Sequence, residues 1–120
     1  MISYKDLIVW QKSMDLVVMI YQATENFPKS ELYGLVSQIR RSSISIPSNI
    51  AEGKMRGTRK DYCHFVRMAF GSGAELETQL EISRRLKFVN ENEFLEIKNL
   101  LEEIMKMLNV MIRKLGEPIT

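Results

Sequence analysis

Residues 94–115 read FLEIKNLLEEIMKMLNVMIRKL and carry the clearest helical pattern in the chain. Their apolar side chains recur at alternating intervals of three and four residues, which places them on one face of an α-helix. The positions with this spacing are Phe94, Ile97, Leu101, Ile104, Leu108, Met111 and Leu115. Asn90 precedes the stretch as a helix cap, and Gly116 and Pro118 follow it as stop signals. The sequence therefore predicts an amphipathic helix over residues 91–115.

The same spacing predicts a first helix over residues 4–26, with two apolar stripes rather than one. A seam with heptad spacing is formed by Leu7, Trp10, Met14, Val17 and Tyr21. A second stripe is formed by Leu16, Met19 and Ile20. A helix in an isolated bundle needs a single stripe, roughly 100° wide. The excess indicates a second contact surface on this helix.

A second helix is predicted over residues 30–53, with a proline inside it. Its inner face is formed by Leu32, Leu35, Val36, Ile39, Ile46 and Ile50. Ser42 and Ser43 fill the middle of this face, so the interior is small and polar there. Pro47 removes one backbone hydrogen bond and crowds the carbonyl of Ser43. Because the apolar spacing resumes at Ile50, we expect a kink at Pro47 rather than a helix end.

A third helix is predicted over residues 58–87, begun by Thr58 as its cap with Asp61 three residues on. Its inward residues are Tyr62, Phe65, Ala69, Leu76 and Leu80. Four amphipathic helices joined by short turns predict an all-α fold, an antiparallel up-down-up-down four-helix bundle. The whole chain, residues 1–120, is expected to form one domain.

The composition is that of a globular protein, with 45% apolar and 27% charged residues. A single cysteine, Cys63, excludes an intramolecular disulfide and favours a reducing compartment. The first residues lack the basic and apolar regions of a signal peptide. No apolar run reaches the roughly 18 residues that a membrane-spanning helix needs. We expect a cytoplasmic protein with no membrane partner.

The net charge of +2 is small, but the charges are unevenly distributed. Residues 38–67 hold seven basic residues against two acidic ones, a balance of +5. Residues 75–103 hold eight acidic residues against four basic ones, a balance of −4. This polarity fits either a basic site for an anionic partner or opposite faces that meet when subunits associate.

The densest basic segment is Lys54-Met55-Arg56-Gly57-Thr58-Arg59-Lys60, with four cations in seven residues. Cations beside a loop glycine suit phosphate oxygens, although an ordinary solvated loop has the same composition. Arg40 and Arg41 are adjacent on the second helix and point about 100° apart, so one is expected to form an ion pair and the other is free for phosphate. The candidate phosphate-binding residues are Arg40, Arg41, Lys54, Arg56, Arg59 and Lys60. Because the segment lacks interleaved aromatic residues, sequence-specific readout is not expected.

Gly71 and Gly73 lie within the third helix, where each glycine costs about 1 kcal/mol relative to alanine. Such positions need a packing reason. If the turn between helices two and three is centred near Met55, residue i faces roughly residue 111 − i in an antiparallel hairpin. The two glycines then lie about a turn from the buried serines, and Glu75 lies about a turn from Arg40 as an ion-pair partner. This narrow waist serves either packing alone or a subunit contact. The residues assigned to packing or assembly are Trp10, Pro47, Gly71, Gly73 and Glu75.

No combination of residues in the sequence indicates catalysis. Cys63 and His64 are adjacent, so their side chains diverge on a helix, and no third group is placed to orient the imidazole. A zinc site needs three or four ligands, and the sequence has no other cysteine or histidine. Glu77 and Glu81 share a helix face, where surface pairing is the expected role. We predict no enzyme activity, no catalytic residue, no metal and no cofactor.

Four separated segments resemble one known family. They are QIRRSSISIPSNIAEG (38–53), YKDL with Trp10-Gln11 (4–11), FP through ELYGL (27–35) and GSGAELETQL (71–80). The chain is similar to the "four helix bundle protein" family, also called 23S rRNA-intervening-sequence or S23-like proteins. The resemblance extends over nearly the whole chain, residues 4–115.

The resemblance implies a bacterial protein with this fold that assembles into a ring, with a homopentamer as the expected form. Some relatives are encoded within insertions in ribosomal RNA genes. A distantly similar bundle is the accessory protein of diversity-generating retroelements and binds nucleic acid and a reverse transcriptase. The family has no established activity, so it supplies no catalytic residues.

Two functions follow as hypotheses. The first is a non-enzymatic homo-oligomer whose basic residues bind the phosphates of RNA or DNA. The alternative is a structural or adaptor protein whose partner is another protein, which the extra apolar stripe and the charge polarity favour.

Overall fold

Four helices form the protein: α1 (Ile8–Thr24), α2 (Ser37–Met55), α3 (Arg59–Arg85) and α4 (Glu91–Gly116). The computed structural model describes residues 3–117, and this range contains no β-strand. The predicted all-α four-helix fold is confirmed. The stop signal assigned to Pro118 and the first two residues of the chain lie outside the described range.

The structure of α4 follows its sequence pattern closely. The Asn90 side chain accepts a hydrogen bond from the Glu93 amide at 2.8 Å, which satisfies an amide with no partner inside the helix. The first five members of the periodic set, from Phe94 to Leu108, are buried, and Met111 and Leu115 are half-buried. A single apolar stripe leaves the helix only one face to bury, so its orientation is fixed by the sequence.

The structure decides which of the two stripes predicted on α1 faces the core. Leu16 and Ile20 of the second stripe are fully buried, whereas the heptad seam lies at the edge of the core, where Trp10 packs against it and Met14 is exposed. Met14 is 41% exposed, and Trp10 and Val17 are only half-buried. Both stripes carry enough apolar surface to be buried, so the choice depends on what the other three helices present. The second contact surface predicted on α1 stays a prediction.

The second helix begins later than predicted. Lys29–Glu31 forms a 3-10 turn and Leu32–Val36 forms a π-helical turn, so the regular helix starts at Ser37. Gly34 lies outside the helical region, with φ −115° and ψ −107°. The apolar spacing of residues 32–36 does not reveal this break, because their inner members, Leu35 and Val36, still pack towards the core. Tyr33 points away from it and is 93% exposed.

Pro47 lies inside α2 and is buried, and the helix is continuous from Ser37 to Met55. The kink predicted at Pro47 stays a prediction. Ser42 and Ser43 are fully buried, as the small polar interior requires. The Ser43 hydroxyl donates to the Arg40 carbonyl at 2.8 Å, so its polar atom is satisfied within the helix.

Contacts between helices define the two ends of the 52 Å long molecule. At one end Arg59, beside the α2–α3 turn, bonds to the Leu115 carbonyl at the end of α4. At the other end the rings of Phe27 and Phe88 are 5.6 Å apart, so the connections after α1 and after α3 meet. The predicted up-down-up-down order remains a prediction, consistent with these contacts.

The register predicted between α2 and α3 is wrong. Ser42 Oγ lies 2.9 Å from Glu75 Oε1, and the hydroxyls of Ser45 and Ser72 are 2.9 Å apart. Ser42 is thus level with Glu75 rather than with Ala69. The main reason is that α2 continues to Met55, which moves the centre of the turn to about Gly57.

None of the helices in residues 3–117 is long and apolar enough to cross a membrane.

Candidate nucleic-acid interface

The turn between α2 and α3 holds four of the predicted basic residues at one end of the molecule. Gly57 has a φ of +87°, a left-handed conformation that residues with a Cβ rarely adopt. The Thr58 hydroxyl then accepts the Asp61 amide at 3.1 Å and starts α3. Only three residues separate the two helices, so the basic residues on both sides of the turn stay close together. They are Lys54, Arg56, Arg59 and Lys60.

Arg59 joins this turn to the end of α4. Its Nε donates to the Leu115 carbonyl at 3.0 Å, and its Nη2 donates to the carbonyls of Lys114 and, at 3.1 Å, Glu117. The last carbonyls of a helix have no partner within it and carry the negative end of its dipole. The guanidinium of Arg59 donates hydrogen bonds to these carbonyls and places a positive charge at the negative end of the dipole. The Nε and Nη2 donors of Arg59 are therefore used within the protein, and the end of α4 with its basic residues lies beside the turn.

Lys54 and Arg56 are held against aromatic rings of α3. The Lys54 ammonium lies 5.5 Å from the centre of the Tyr62 ring, and the Arg56 guanidinium lies 5.0 Å from that of Phe65. Arg56 also bonds Glu52 at 2.6 Å, and this bond and the charge of Glu52 raise the pKa of Arg56. Burial raises the pKa of Tyr62. A cation thus lies against one face of each ring, and both side chains are half-buried, which restricts the access of bases to them.

A shallow hollow beside the turn contains basic residues that the sequence prediction misses. It is lined by Lys60, His64 and Arg67 of α3, by the last residues of α4, and by Glu117, which follows α4. The three α3 residues are four and three positions apart, which places them on one helix face. This spacing could have identified Arg67 from the sequence as a neighbour of Lys60. The proximity of Arg67 to α4 depends on the tertiary fold. Basic residues also occupy the last turn of α4, at Arg113 and Lys114.

We call this surface the basic end. Its members are Lys54, Arg56, Arg59, Lys60, His64, Arg67 and Lys114. Among the described residues, no ion pair includes Lys60, Arg67 or Lys114. These three cations are exposed. Unlike those of Lys54 and Arg59, their side chains also have no aromatic or carbonyl contact among those described, so their charge is available for an anionic ligand.

Arg40 and Arg41 do not belong to the basic end. Lys54 is thirteen positions after Arg41 on the same helix, which is about 20 Å along the axis. The Arg40 guanidinium lies 4.4 Å from the centre of the Tyr21 ring, and its Nε donates to Thr24 Oγ1 at 2.9 Å. Arg40 therefore packs on α1 and forms no ion pair with Glu75 among the described contacts. Arg41 is exposed.

The residues assigned to assembly separate into two groups. Trp10 and Pro47 line a groove between α1 and α2, together with Met14, Val17 and Ile44. We call this the α1–α2 groove. Its upper part, which shares Ile44, continues past Tyr33 to Arg40 and Arg41.

The second group lies on α3, and its members have different surroundings. A Cβ at Gly73 would collide with Met105 Sδ, so this glycine permits close packing against α4, not against α2. Gly71 is exposed, and nothing lies within 4 Å of an added Cβ. Glu75 accepts the hydrogen bond from Ser42 across the α2–α3 contact. The close approach between α2 and α3 is instead made at Gly53, whose added Cβ would lie 2.7 Å from Phe65 Cβ.

Cys63 and His64 make separate contacts on α3. The Cys63 thiol lies 4.0 Å from the Ile112 carbonyl, and the His64 ring meets the edge of Phe65 at 5.3 Å between centroids. Within residues 3–117, no three of the histidine, cysteine, aspartate and glutamate side chains are grouped as metal ligands.

Comparisons with known proteins agree with this architecture. Residues 5–110 match the family described as 23S rRNA-intervening sequence protein. A similar solved structure is a protein of unknown function from the S23 ribosomal protein family of Bacteroides thetaiotaomicron VPI-5482. It is 28% identical, with a TM-score of 0.80, over 88% of this chain and 99% of that chain. No match is found among curated proteins.

Proposed function

The chain belongs to the 23S rRNA-intervening sequence protein family, and from this premise we propose that it is a non-enzymatic, self-associating protein that binds nucleic-acid phosphates through its basic end. The observation that carries the proposal is the convergence of cations from α2, α3 and α4 on one end. Phosphate contacts from lysine and arginine supply most of the affinity of such proteins.

The ligand chemistry follows from how the basic end is built. Lys60, Arg67 and Lys114 have exposed charges, whereas Tyr62 and Phe65 are half-buried and each has a cation against one face. A surface with exposed charge and restricted access to its aromatic rings favours a phosphate backbone over unstacked bases. We therefore expect binding to depend on the shape and charge density of the nucleic acid, with little dependence on its sequence.

The test is a binding titration with a labelled RNA hairpin at two salt concentrations. If about four phosphates are contacted, affinity should fall on the order of a hundredfold between 50 and 200 mM monovalent salt. Lys60→Glu and Arg67→Glu should each weaken binding at low salt, because each removes a cation and adds a repulsive charge.

The matched control is Lys29→Glu. Lys29 is exposed in the connection between α1 and α2, at the end of the molecule where Phe27 meets Phe88. It makes the same change in net charge away from the basic end, so it should retain most of the affinity. Equal loss in all three variants would assign binding to net charge alone. No binding of the wild-type chain at low salt would refute nucleic-acid binding.

Self-association is the second part of the proposal, with a homopentameric ring as the form expected from the family resemblance. It is supported by the seam of α1 at the edge of the core, which leaves large apolar side chains exposed. One chain has a mass of 14.0 kDa, so five copies would give about 70 kDa by light scattering. A mass of 14.0 kDa at all micromolar concentrations would refute it.

The α1–α2 groove also favours a second candidate function, that of an adaptor that binds another protein. Its apolar and aromatic lining beside arginine is a composition typical of protein interfaces. Recovery of a protein partner from cells after nuclease treatment, with loss of that partner in Trp10→Ala, would support this function. Recovery that requires intact RNA would refute it.

A further inference from the structure

The α1–α2 groove is an apolar surface that nothing in the chain covers over residues 3–117. Its exposed members include Tyr33 at 93% and Ile44 at 41%, and Val18, beside the groove on α1, is 55% exposed. Arg40 and Arg41 are the only charged residues among those that line it, and no carboxylate lines it. An apolar surface with two cations fits a partner surface that is apolar and acidic.

The opposite side of the bundle carries such a surface, the groove between α3 and α4. Leu80 and Leu101 are buried at its floor, and Ile82 beside them is 43% exposed. Three carboxylates and two cations also line it. Glu81 is held by Arg84 and Arg85, whereas Glu77 is exposed and forms no ion pair among the described residues. We call this the α3–α4 groove.

Residues of the two grooves also lie at corresponding positions along the bundle axis. The Ser42–Glu75 and Ser45–Ser72 contacts show which residues of α2 and α3 are level along the bundle. By the same register Arg41 is level with residues 76 and 77, and Tyr33 is about level with Ile82. Copies placed side by side with their axes aligned would bring Arg41 to Glu77 and Tyr33 to Ile82.

We infer that the α1–α2 groove of one copy receives the α3–α4 groove side of the next copy, with Arg41 paired to Glu77. The inference deepens the self-association in the proposed function and rests on it. A two-fold axis parallel to the bundle would pack the α1–α2 groove on itself with Arg41 against its own copy, and like charges in contact are strongly unfavourable. A two-fold axis across the bundle would leave Arg41 without an acidic partner in the facing groove, because no carboxylate lines it. A head-to-tail contact uses two different surfaces and repeats, so it closes into a ring when the rotation allows.

One long side of the molecule is large enough for an interface of standard size. The molecule measures 52 by 21 by 20 Å, so one long side offers about 1,000 Å², above the roughly 800 Å² per partner of a standard interface. The exposed tyrosine and the arginine of the α1–α2 groove are the residue types that dominate interface energies.

The first test is charge reversal, measured as mass in solution over a concentration series. Arg41→Glu and Glu77→Arg should each raise the dissociation constant at least about tenfold, because each places like charges together. The double variant should recover most of the wild-type assembly. Glu96→Arg, on the side between α1 and α4, is the control and should assemble normally.

The second test distinguishes the two arrangements directly. In a Cys63→Ser background, Tyr33→Cys chains mixed with Ile82→Cys chains should form crosslinked dimers under an added oxidant, and neither chain alone should do so. Assembly in which the mixed pair does not crosslink, or self-crosslinking of either variant, would overturn the inference. Assembly unchanged by both charge reversals would overturn it as well, while self-association would stand. A monomeric wild-type chain would refute both.

Discussion

The Arg59 guanidinium donates hydrogen bonds to the carbonyls of Leu115 and Glu117, which are 56 and 58 residues away in the sequence. One side chain thereby connects the start of α3 to the end of α4 and fixes where the cations of the basic end come together. A residue of the basic segment thus has a structural role in addition to its charge.

Arg59→Gln should loosen the last turn of α4. Losing charge-assisted bonds to carbonyls at an exposed site costs about 1 kcal/mol locally, which corresponds to roughly fivefold faster amide exchange. The measurement is hydrogen exchange by mass spectrometry on a peptide that covers residues 108–117. Lys60→Gln makes the same change in charge one residue away, where no such bond exists among the described contacts, and should leave that exchange unchanged. Equal rates in both variants would show that the Arg59 bonds do not hold α4.

The buried face of a helix could be predicted from the sequence where the helix has a single apolar stripe. The stripe of α4 is buried as expected, from Phe94 to Leu108. On α1 two stripes compete, and only the surfaces of the other helices decide that Leu16 faces inward and Met14 outward. The π-helical turn before Ser37 escapes prediction because its break at Gly34 leaves the apolar spacing intact.

The candidate site could be predicted only in part, for a related reason. Lys54 to Lys60 are neighbours in sequence, so a short turn keeps them together whatever the remaining helices do. Arg67 and Lys114 join them through contacts between α3 and α4, which local patterns do not specify. Arg40 and Arg41 have the same charge but lie about 20 Å along the helix from Lys54, a distance that charge counts ignore.

Gly53→Ala and Gly71→Ala should change stability in opposite directions. At Gly71 an added Cβ meets nothing within 4 Å, so alanine gains helix propensity and raises the free energy of unfolding by about 0.5–1 kcal/mol. At Gly53 the Cβ would lie 2.7 Å from Phe65 Cβ, an atom that side-chain rotation cannot move. Overpacking there should lower the free energy of unfolding by about 1–3 kcal/mol. Urea denaturation at one protein concentration measures both, and a stabilised Gly53→Ala would contradict the close approach of α2 and α3.

The hydroxyls of Ser45 and Ser72 should be coupled energetically. They are 2.9 Å apart between α2 and α3, and both side chains are half-buried. A double-mutant cycle with Ser45→Ala and Ser72→Ala should give an interaction energy of about 0.5–1.5 kcal/mol from unfolding curves. Ser45→Ala combined with Thr78→Ala is the control, since the Thr78 hydroxyl bonds only within α3, to the Ala74 carbonyl. Additive losses in the serine pair would show that the interhelix bond does not form in solution.

Glu81 should make stability depend on pH in the acidic range. Hydrogen bonds from Arg84 and Arg85 lower the pKa of Glu81 from 4.5 to about 2, so the folded state binds its proton less readily than the unfolded chain. The stabilisation is therefore complete above pH 4.5 and is lost as the pH falls through about 2. Glu81→Gln removes it, so the wild-type chain should be more stable than this variant at pH 7, and the difference should shrink between pH 4.5 and 2.

Glu96→Gln, which alters a carboxylate with no ion pair among the described residues, should show no such convergence with the wild type. Chemical denaturation across this pH series measures the difference, and a gap between wild type and Glu81→Gln that is independent of pH would rule out the ion pairs as its cause.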